Sequence, residues 1–320
     1  MLAREVIQRV REIQIHTGRQ VADVLAGQYV SVFKGRGIEF DEVRPYVPGD
    51  DVRSIDWNVT ARTGEPFVKR YVEERQLTLM LMADVSASQD FGSAGRSKRE
   101  ATAELCALLA FSATRNDDKV GLTLFHGGIE QYIPARKGQK HSLRVVREVL
   151  THGSGETPEE LAIAKSRRRW LPFGRRRAWR TGRQATSVAG AMEFLMSVTS
   201  RQAVCFVVSD FLDEGFMHAM QSANRKHDVI AVLITDPREL EVPNVGLVNL
   251  ADPESGRLAR FDTGSAAFRR QLAQLAQQRV EDLKHTFRGS DIDFIHIDAS
   301  GSIVDPLVKF FRMRERRMRR

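Results

Sequence analysis

The chain has 320 residues, 42% of them hydrophobic and 28% charged, which allows a large core and excludes wholesale disorder. Its net charge of +8 is concentrated: Lys165 to Arg183 carries nine basic residues and no acid, Lys309 to Arg320 carries seven and one acid, and the remainder stands at −7. A uniformly basic nucleic-acid binder is thereby excluded, and so is a membrane-spanning helix, because no run approaches the roughly 18 uninterrupted apolar residues one needs.

The N-terminus lacks the apolar core of a secretion signal, so the expected location is cytoplasmic. Cys106 and Cys205 lie inside apolar runs and read as buried thiols, not a disulfide. Residues 1 to about 17 place Leu2, Val6, Val10 and Ile13 at helical spacing and predict an amphipathic helix. From Gly37 to Trp57, the residues Pro45, Pro48 and Gly49 predict turns and no long element. The segment reads as a compact appendage in which Asp50, Asp51, Glu73 and Glu74 pair with Arg44, Arg53, Arg62 and Lys69, or offer a docking surface. Phe67 to Glu74 predicts a strand leading into the next one.

That next strand is the apolar run from Leu77 to Ala83, which stops abruptly in Asp84, Ser86 and Ser88. A helix is expected over Lys98 to Arg115, then a strand from Lys119 to Phe125, a Gly127-Gly128 turn, and an edge strand from Ile129 tolerating Pro134. A helix from about Gln139 to Leu150 precedes an irregular basic insertion at 151–183. Alternation resumes with helices over Ser187 to Thr199, Met217 to Asn224 and Ala266 to Phe287. The matching strands are Ala203 to Asp210, Val229 to Ile234, shorter ones near Gly246 to Leu250 and Leu258 to Phe261, and Ile292 to Ile297. Met192, Met196, Met217 and Met220 read as core filling. The pattern predicts an α/β fold with a Rossmann-like, mostly parallel sheet. Three regions result: a helix plus charged β/turn appendage at 1–76, the main domain at 77–300, and a C-terminal helix with a basic tail at 301–320.

Ligands of open α/β sheets sit at the carboxyl ends of the strands, where Asp84, Ser86, Ser88 and Asp210 fall, with Thr186 just before a helix. Neutral hydroxyls flanked by two carboxylates are hard oxygen donors suited to Mg²⁺ or Mn²⁺. The competing reading is that Ser86, Ser88 and Thr186 only cap helices and Asp210 only ends a strand. His126, alone near a strand end, reads as structural or solvated.

Asp84-Val85-Ser86-Ala87-Ser88, Thr186 and Ser209-Asp210-Phe211 resemble the metal-ion-dependent adhesion site of von Willebrand factor A domains. The preceding stretch resembles the bacterial domain-of-unknown-function 58 family. Its motifs are Gly35-Arg36-Gly37-Ile38-Glu39-Phe40, Arg44-Pro45-Tyr46, Gly49-Asp50-Asp51, Ile55-Asp56-Trp57, Thr60-Ala61-Arg62 and Val68-Lys69. The resemblance implies that Ser86, Ser88 and Thr186 bind the metal directly, that Asp84 and Asp210 act through waters and hydrogen bonds, and that a partner's acidic residue completes the shell. Gln89 stands where the family often has methionine, a position that is not a ligand. Such proteins are typically encoded beside MoxR-type AAA+ ATPases, which implies a non-enzymatic adaptor or co-chaperone role. No P-loop is present, so ATP hydrolysis falls to the partner.

Two other classes compete. A Mg²⁺-dependent phosphohydrolase would use Asp84 or Asp210 as nucleophile, but Ser86 stands where a second acid is expected and no lysine partner can be placed. An anion-binding protein would use Lys165 to Arg183, where Trp170, Phe173 and Trp179 interleave with arginines as a surface for nucleic acid or acidic lipid.

Overall fold

The computed structural model describes residues 33, 38–73, 76–93, 95–152, 186–251 and 258–318. The helix expected at 1–17, Gly35 to Gly37, Glu74, the basic stretch at 153–185, and Arg319 and Arg320 lie outside the described residues. In chain order the strands are β1 (Ile38–Pro45), β2 (Phe67–Glu73), β3 (Thr78–Asp84), β4 (Lys119–Phe125), β5 (Ile129–Arg136), β6 (Val204–Ser209), β7 (Asp228–Thr235), β8 (Leu247–Ala251), β9 (Leu258–Asp262) and β10 (Asp293–Asp298). The helices are α1 (Trp57–Thr63), α2 (Lys98–Arg115), α3 (Gln139–Thr151), α4 (Val188–Val198), α5 (Met217–Asn224), α6 (Pro237–Leu240), α7 (Ala266–Arg288) and α8 (Val304–Met318).

Six strands form the central sheet in the order β10-β7-β6-β3-β4-β5. All neighbours are parallel except β4 and β5, so β5 is the antiparallel edge. Strand periodicity divides the apolar runs between two cores. Leu79, Leu81, Phe206, Val208, Val232 and Ile297 face α2, α3 and α8, while Met80, Met82, Cys205, Val207 and Leu233 face α4, α5 and α7. Because both faces are covered, β3, β6 and β7 read as continuous apolar runs, not as alternation. This is the architecture implied by the von Willebrand factor A resemblance.

One close approach is fixed by composition. A Cβ on Gly121 in β4 would lie 2.6 Å from Met80 Sδ and 3.1 Å from the backbone nitrogen of Ala135. Gly121→Ala is expected to destabilise the protein by about 1–3 kcal/mol through overpacking. A urea midpoint unchanged from wild type would show that Met80 can move aside.

The appendage departs from expectation in one respect. Ile38 to Pro45 is an eight-residue strand, antiparallel to β2 in its own two-stranded sheet. Pro45 is tolerated because it is the strand's last residue, and the turn falls after it, where Gly49 takes a positive φ of 113°. β2 therefore pairs with β1 before the chain enters β3. The expected ion pairing is present in part: Arg44 holds Asp50 through both carboxylate oxygens at 2.6 and 2.8 Å. Lys69 lies 3.2 Å from Asp56, which also caps α1, and Asp51 caps the short 3₁₀ turn at Val52–Ser54.

α8 is part of the main core. Leu307, Phe310 and Phe311 are buried in the same cluster as Phe206, and Arg314 lies over the rings of Phe33 and Phe310 at 5.3 and 5.4 Å. The same guanidinium pairs with Asp228 and Asp293, so part of the C-terminal basic charge is neutralised inside the domain.

Candidate metal centre

The carboxyl ends of β3, β4, β6 and β7 lie along one edge of the sheet, and the loops that carry the candidate residues leave from them. The apolar part of β3 is buried on both faces, so its first polar residue, Asp84, is only 2% exposed. Its two oxygens are both engaged: Oδ1 accepts from the Ser86 backbone N–H at 2.9 Å and Oδ2 from the Ser209 hydroxyl at 2.8 Å. The loop after it closes in a 3₁₀ turn at Ala87–Asp90, which brings the Ser86 and Ser88 hydroxyl oxygens to 2.9 Å from each other. Ser88 Oγ donates to Asp210 Oδ2 at 2.7 Å, joining β3 to β6 across the site. Phe211 adopts a left-handed φ of 51°, turning its ring into the core against Phe216 and Phe287.

These contacts overturn the capping alternative for three of the residues. Ser86 precedes the 3₁₀ turn but makes no side-chain cap bond, and Ser88 lies inside the turn, not at its cap, with its hydroxyl donating to Asp210. α4 is capped by Ser187, whose hydroxyl accepts from the Gly190 N–H at 3.1 Å, not by Thr186. Thr186 reaches the same edge by other ties: the next residue's N–H bonds to the His126 carbonyl at 2.9 Å, and that of Val188 to Asp213. Its own hydroxyl lies 3.5 Å from His126 Nδ1, so the histidine has a positioning contact at the site's margin. Thus Asp84, Ser86, Ser88 and Asp210 form one bonded network, while the contact shown for Thr186 is to His126 at the end of β4.

The network is electrostatically loaded. Burial, and then the charge of nearby Asp210, push the Asp84 carboxyl up to about 7. Two buried carboxylates repelling each other are an arrangement that a cation relieves. The donor set fits a hard divalent ion. Adjacent ligands of an octahedron at magnesium–oxygen distances of 2.0–2.1 Å stand about 3.0 Å apart. The Ser86 and Ser88 oxygens have that separation, at 2.9 Å. Donation from Ser88 to a carboxylate also raises the basicity of its oxygen toward a metal.

Several participants have no sequence signature. Lys98, at the start of α2, has a side chain only 1% exposed, with Nζ 3.3 Å from Asp210 Oδ2 and 2.6 Å from Glu239 Oε1. A lysine partner for Asp210 therefore exists, contrary to the expectation that none can be placed. Gln89 Nε2 also donates to Asp210 Oδ2, at 3.3 Å. Arg99 clamps the loop after β3, with Nε 2.6 Å from Asp90 Oδ1 and further bonds to the carbonyls of Val85 and His152. Ser93 ties the same loop to Asp236 through backbone and hydroxyl. Charged residues at a helix start read as solvent-facing in sequence, and nothing in their local pattern marks Lys98 or Arg99 as buried.

The sequence model of a family described as protein of unknown function DUF58 matches residues 42–282. The chain belongs to the DUF58 family. All five candidate ligand residues fall within the DUF58 match. Uncharacterized proteins of Mycobacterium tuberculosis and Mycobacterium bovis are each 30% identical over 308 residues, covering 96% of this chain and 89% of theirs. Among solved structures, BatB from Bacteroides thetaiotaomicron is similar at a TM-score of 0.44 and 14% identity, covering 75% of this chain and 99% of that one. The VWA domain of SpRpn10 is similar at a TM-score of 0.32 and 12% identity, covering 73% of this chain and 93% of that one.

Proposed function

We propose that this DUF58 protein is a divalent-cation-dependent protein-interaction module. Ser86, Ser88 and Thr186 hold Mg²⁺ or Mn²⁺ through their hydroxyls, and Asp84 and Asp210 support it through hydrogen bonds and water. A direct shell of neutral oxygens leaves the ion's charge undercompensated, so a carboxylate from a partner protein completes it, and metal and partner bind cooperatively. The observation that carries this reading is the Ser86–Ser88 hydroxyl pair at 2.9 Å, tied through Ser88 to the Asp210 carboxylate, with no side-chain cap bond from Ser86. In the cell we assign it an adaptor or co-chaperone role with a MoxR-type AAA+ ATPase, in the cytoplasm. Among the described residues no helix is long and apolar enough to cross a membrane.

The test is titration of the purified protein with Mn²⁺, paired with capture of a co-expressed AAA+ partner with and without chelator. Ser86→Ala combined with Ser88→Ala is expected to weaken Mn²⁺ binding by at least about tenfold and to abolish capture, with the circular dichroism spectrum unchanged. Capture that survives full metal removal sinks the reading. The buried Lys98 beside Asp210 favours phosphohydrolase chemistry as a second reading, but both oxygens of Asp84 are consumed internally. Mg²⁺-dependent turnover of p-nitrophenyl phosphate that vanishes in Asp84→Asn would restore it.

A further inference from the structure

We infer that Lys98 is a built-in competitor for the cation, and that the balance of its ammonium between Asp210 and Glu239 sets how tightly the site takes a metal. The inference rests on the metal-site reading above and goes beyond it by naming the residues that set affinity. The Lys98 side chain is buried, and among the described residues two carboxylates, Asp210 and Glu239, contact its ammonium directly while the charge of Asp236 is also felt. One is Asp210 Oδ2, the same oxygen that accepts the Ser88 hydroxyl proton at 2.7 Å. The other is Glu239, on α6, whose side chain is 36% exposed. A single oxygen therefore carries the Ser88 donor, the Gln89 amide and the ammonium together.

A cation at the Ser86 and Ser88 oxygens and the ammonium at Asp210 would draw on the same buried negative charge. In a poorly solvated site each lowers the other's attraction, because like charges at short range are only weakly screened. Lys98 then compensates Asp210 when no metal is present, which keeps the ligand loop assembled, and weakens the site for metal alone. A partner's carboxylate would add the missing negative charge and tip the balance toward occupancy. Glu239 tunes this competition from outside: its 2.6 Å bond pulls the ammonium away from Asp210, whose contact is the longer one at 3.3 Å.

The two residues make opposite predictions. Lys98→Met keeps an unbranched buried stem and removes the charge, and is expected to tighten Mn²⁺ binding by about tenfold. It also makes the metal-free protein less stable, since Asp210 is left buried without its counter-ion. Glu239→Gln preserves the capping box with the Asp236 N–H at 3.0 Å but releases Lys98 onto Asp210. It is expected to weaken Mn²⁺ binding by about threefold or more. The measurement is calorimetric titration with Mn²⁺ alone, on the full chain, with thermal unfolding recorded for each variant. Affinity that is unchanged or lower in Lys98→Met, or unchanged or higher in Glu239→Gln, overturns the inference while leaving the metal site standing. If Lys98→Met does not fold, Glu239→Gln decides alone, because its side chain is partly exposed. A wild type whose Mn²⁺ titration matches that of the Ser86→Ala, Ser88→Ala double variant overturns the metal reading itself.

Discussion

Asp84→Asn is expected to raise the melting temperature of the metal-free protein at pH 8 by about 4–6 °C, while leaving it almost unchanged at pH 4. In the folded protein the Asp84 carboxyl is held up to about 7, against an ordinary value of 3.8. Between those two values the folded state keeps a proton that the unfolded state has lost. Unfolding therefore releases a proton, stability falls as pH rises through that window, and the full loss is present above pH 7. The upper bound on that loss is about 4 kcal/mol, and relaxation of the surrounding groups around the charge offsets part of it, leaving about 2 kcal/mol to be measured. Asparagine keeps an acceptor for the Ser86 N–H, and its amide can donate to Ser209 once that hydroxyl turns round. It removes only the charge. In wild type, saturating Mg²⁺ is expected to stabilise far more at pH 8 than at pH 5.5, and in Asp84→Asn not at all. A variant less stable than wild type at pH 8, with metal absent, would show that the carboxylate itself holds the loop together.

Phe206→Ala is expected to cost about 3–5 kcal/mol of unfolding free energy, the range for truncating a buried aromatic. Phe206 is fully buried in the middle of β6. Its ring meets Phe33 and Phe310 edge-on, with centroids 6.2 and 6.5 Å away, so the cavity would open between the sheet and α8. The backbone of β6 remains paired to β3 and β7 on both sides, which limits collapse into the void. Urea unfolding measures the loss. Mn²⁺ affinity of the still-folded protein is expected to stay within about threefold of wild type, because Asp210 is positioned by that pairing and not by the ring. A loss below 1 kcal/mol would mean that the α8 face repacks freely.

Much of this fold is legible in the residues because burial on both faces writes itself as uninterrupted apolar runs. β3, β6 and β7 announce themselves that way, and Ser97 with Glu100 marks the start of α2 through a capping box. The candidate site residues at strand ends stand out for a related reason, since a carboxylate or hydroxyl ending such a run contrasts with it. What escapes is anything whose meaning depends on distant partners. β1 is hidden by Pro45, whose harmlessness at the last strand position appears only once β2 lies alongside. Lys98 and Arg99 resemble the exposed basic residues of any helix start, and their burial is decided by Asp210, Glu239, Asp90 and His152 from four other segments.

The parallel pairing of β3 with β6 joins segments made far apart in time. Ser88 and Asp210, joined by a hydrogen bond in the finished site, are separated by 122 positions in the chain. At ribosomal rates of roughly 5–20 residues per second, the first half of the site waits between about 6 and 24 s for the second. Once β4 has been made, β3 can pair with it but has no neighbour on its other side until β6 arrives, and the face later sealed by α8 stays open. Folding speed in such a topology is governed by these non-local pairings. The Ser88–Asp210 bond therefore closes only when the halves have met, and a polypeptide stalled or truncated before β6 lacks the joined network on which the proposed cation site depends.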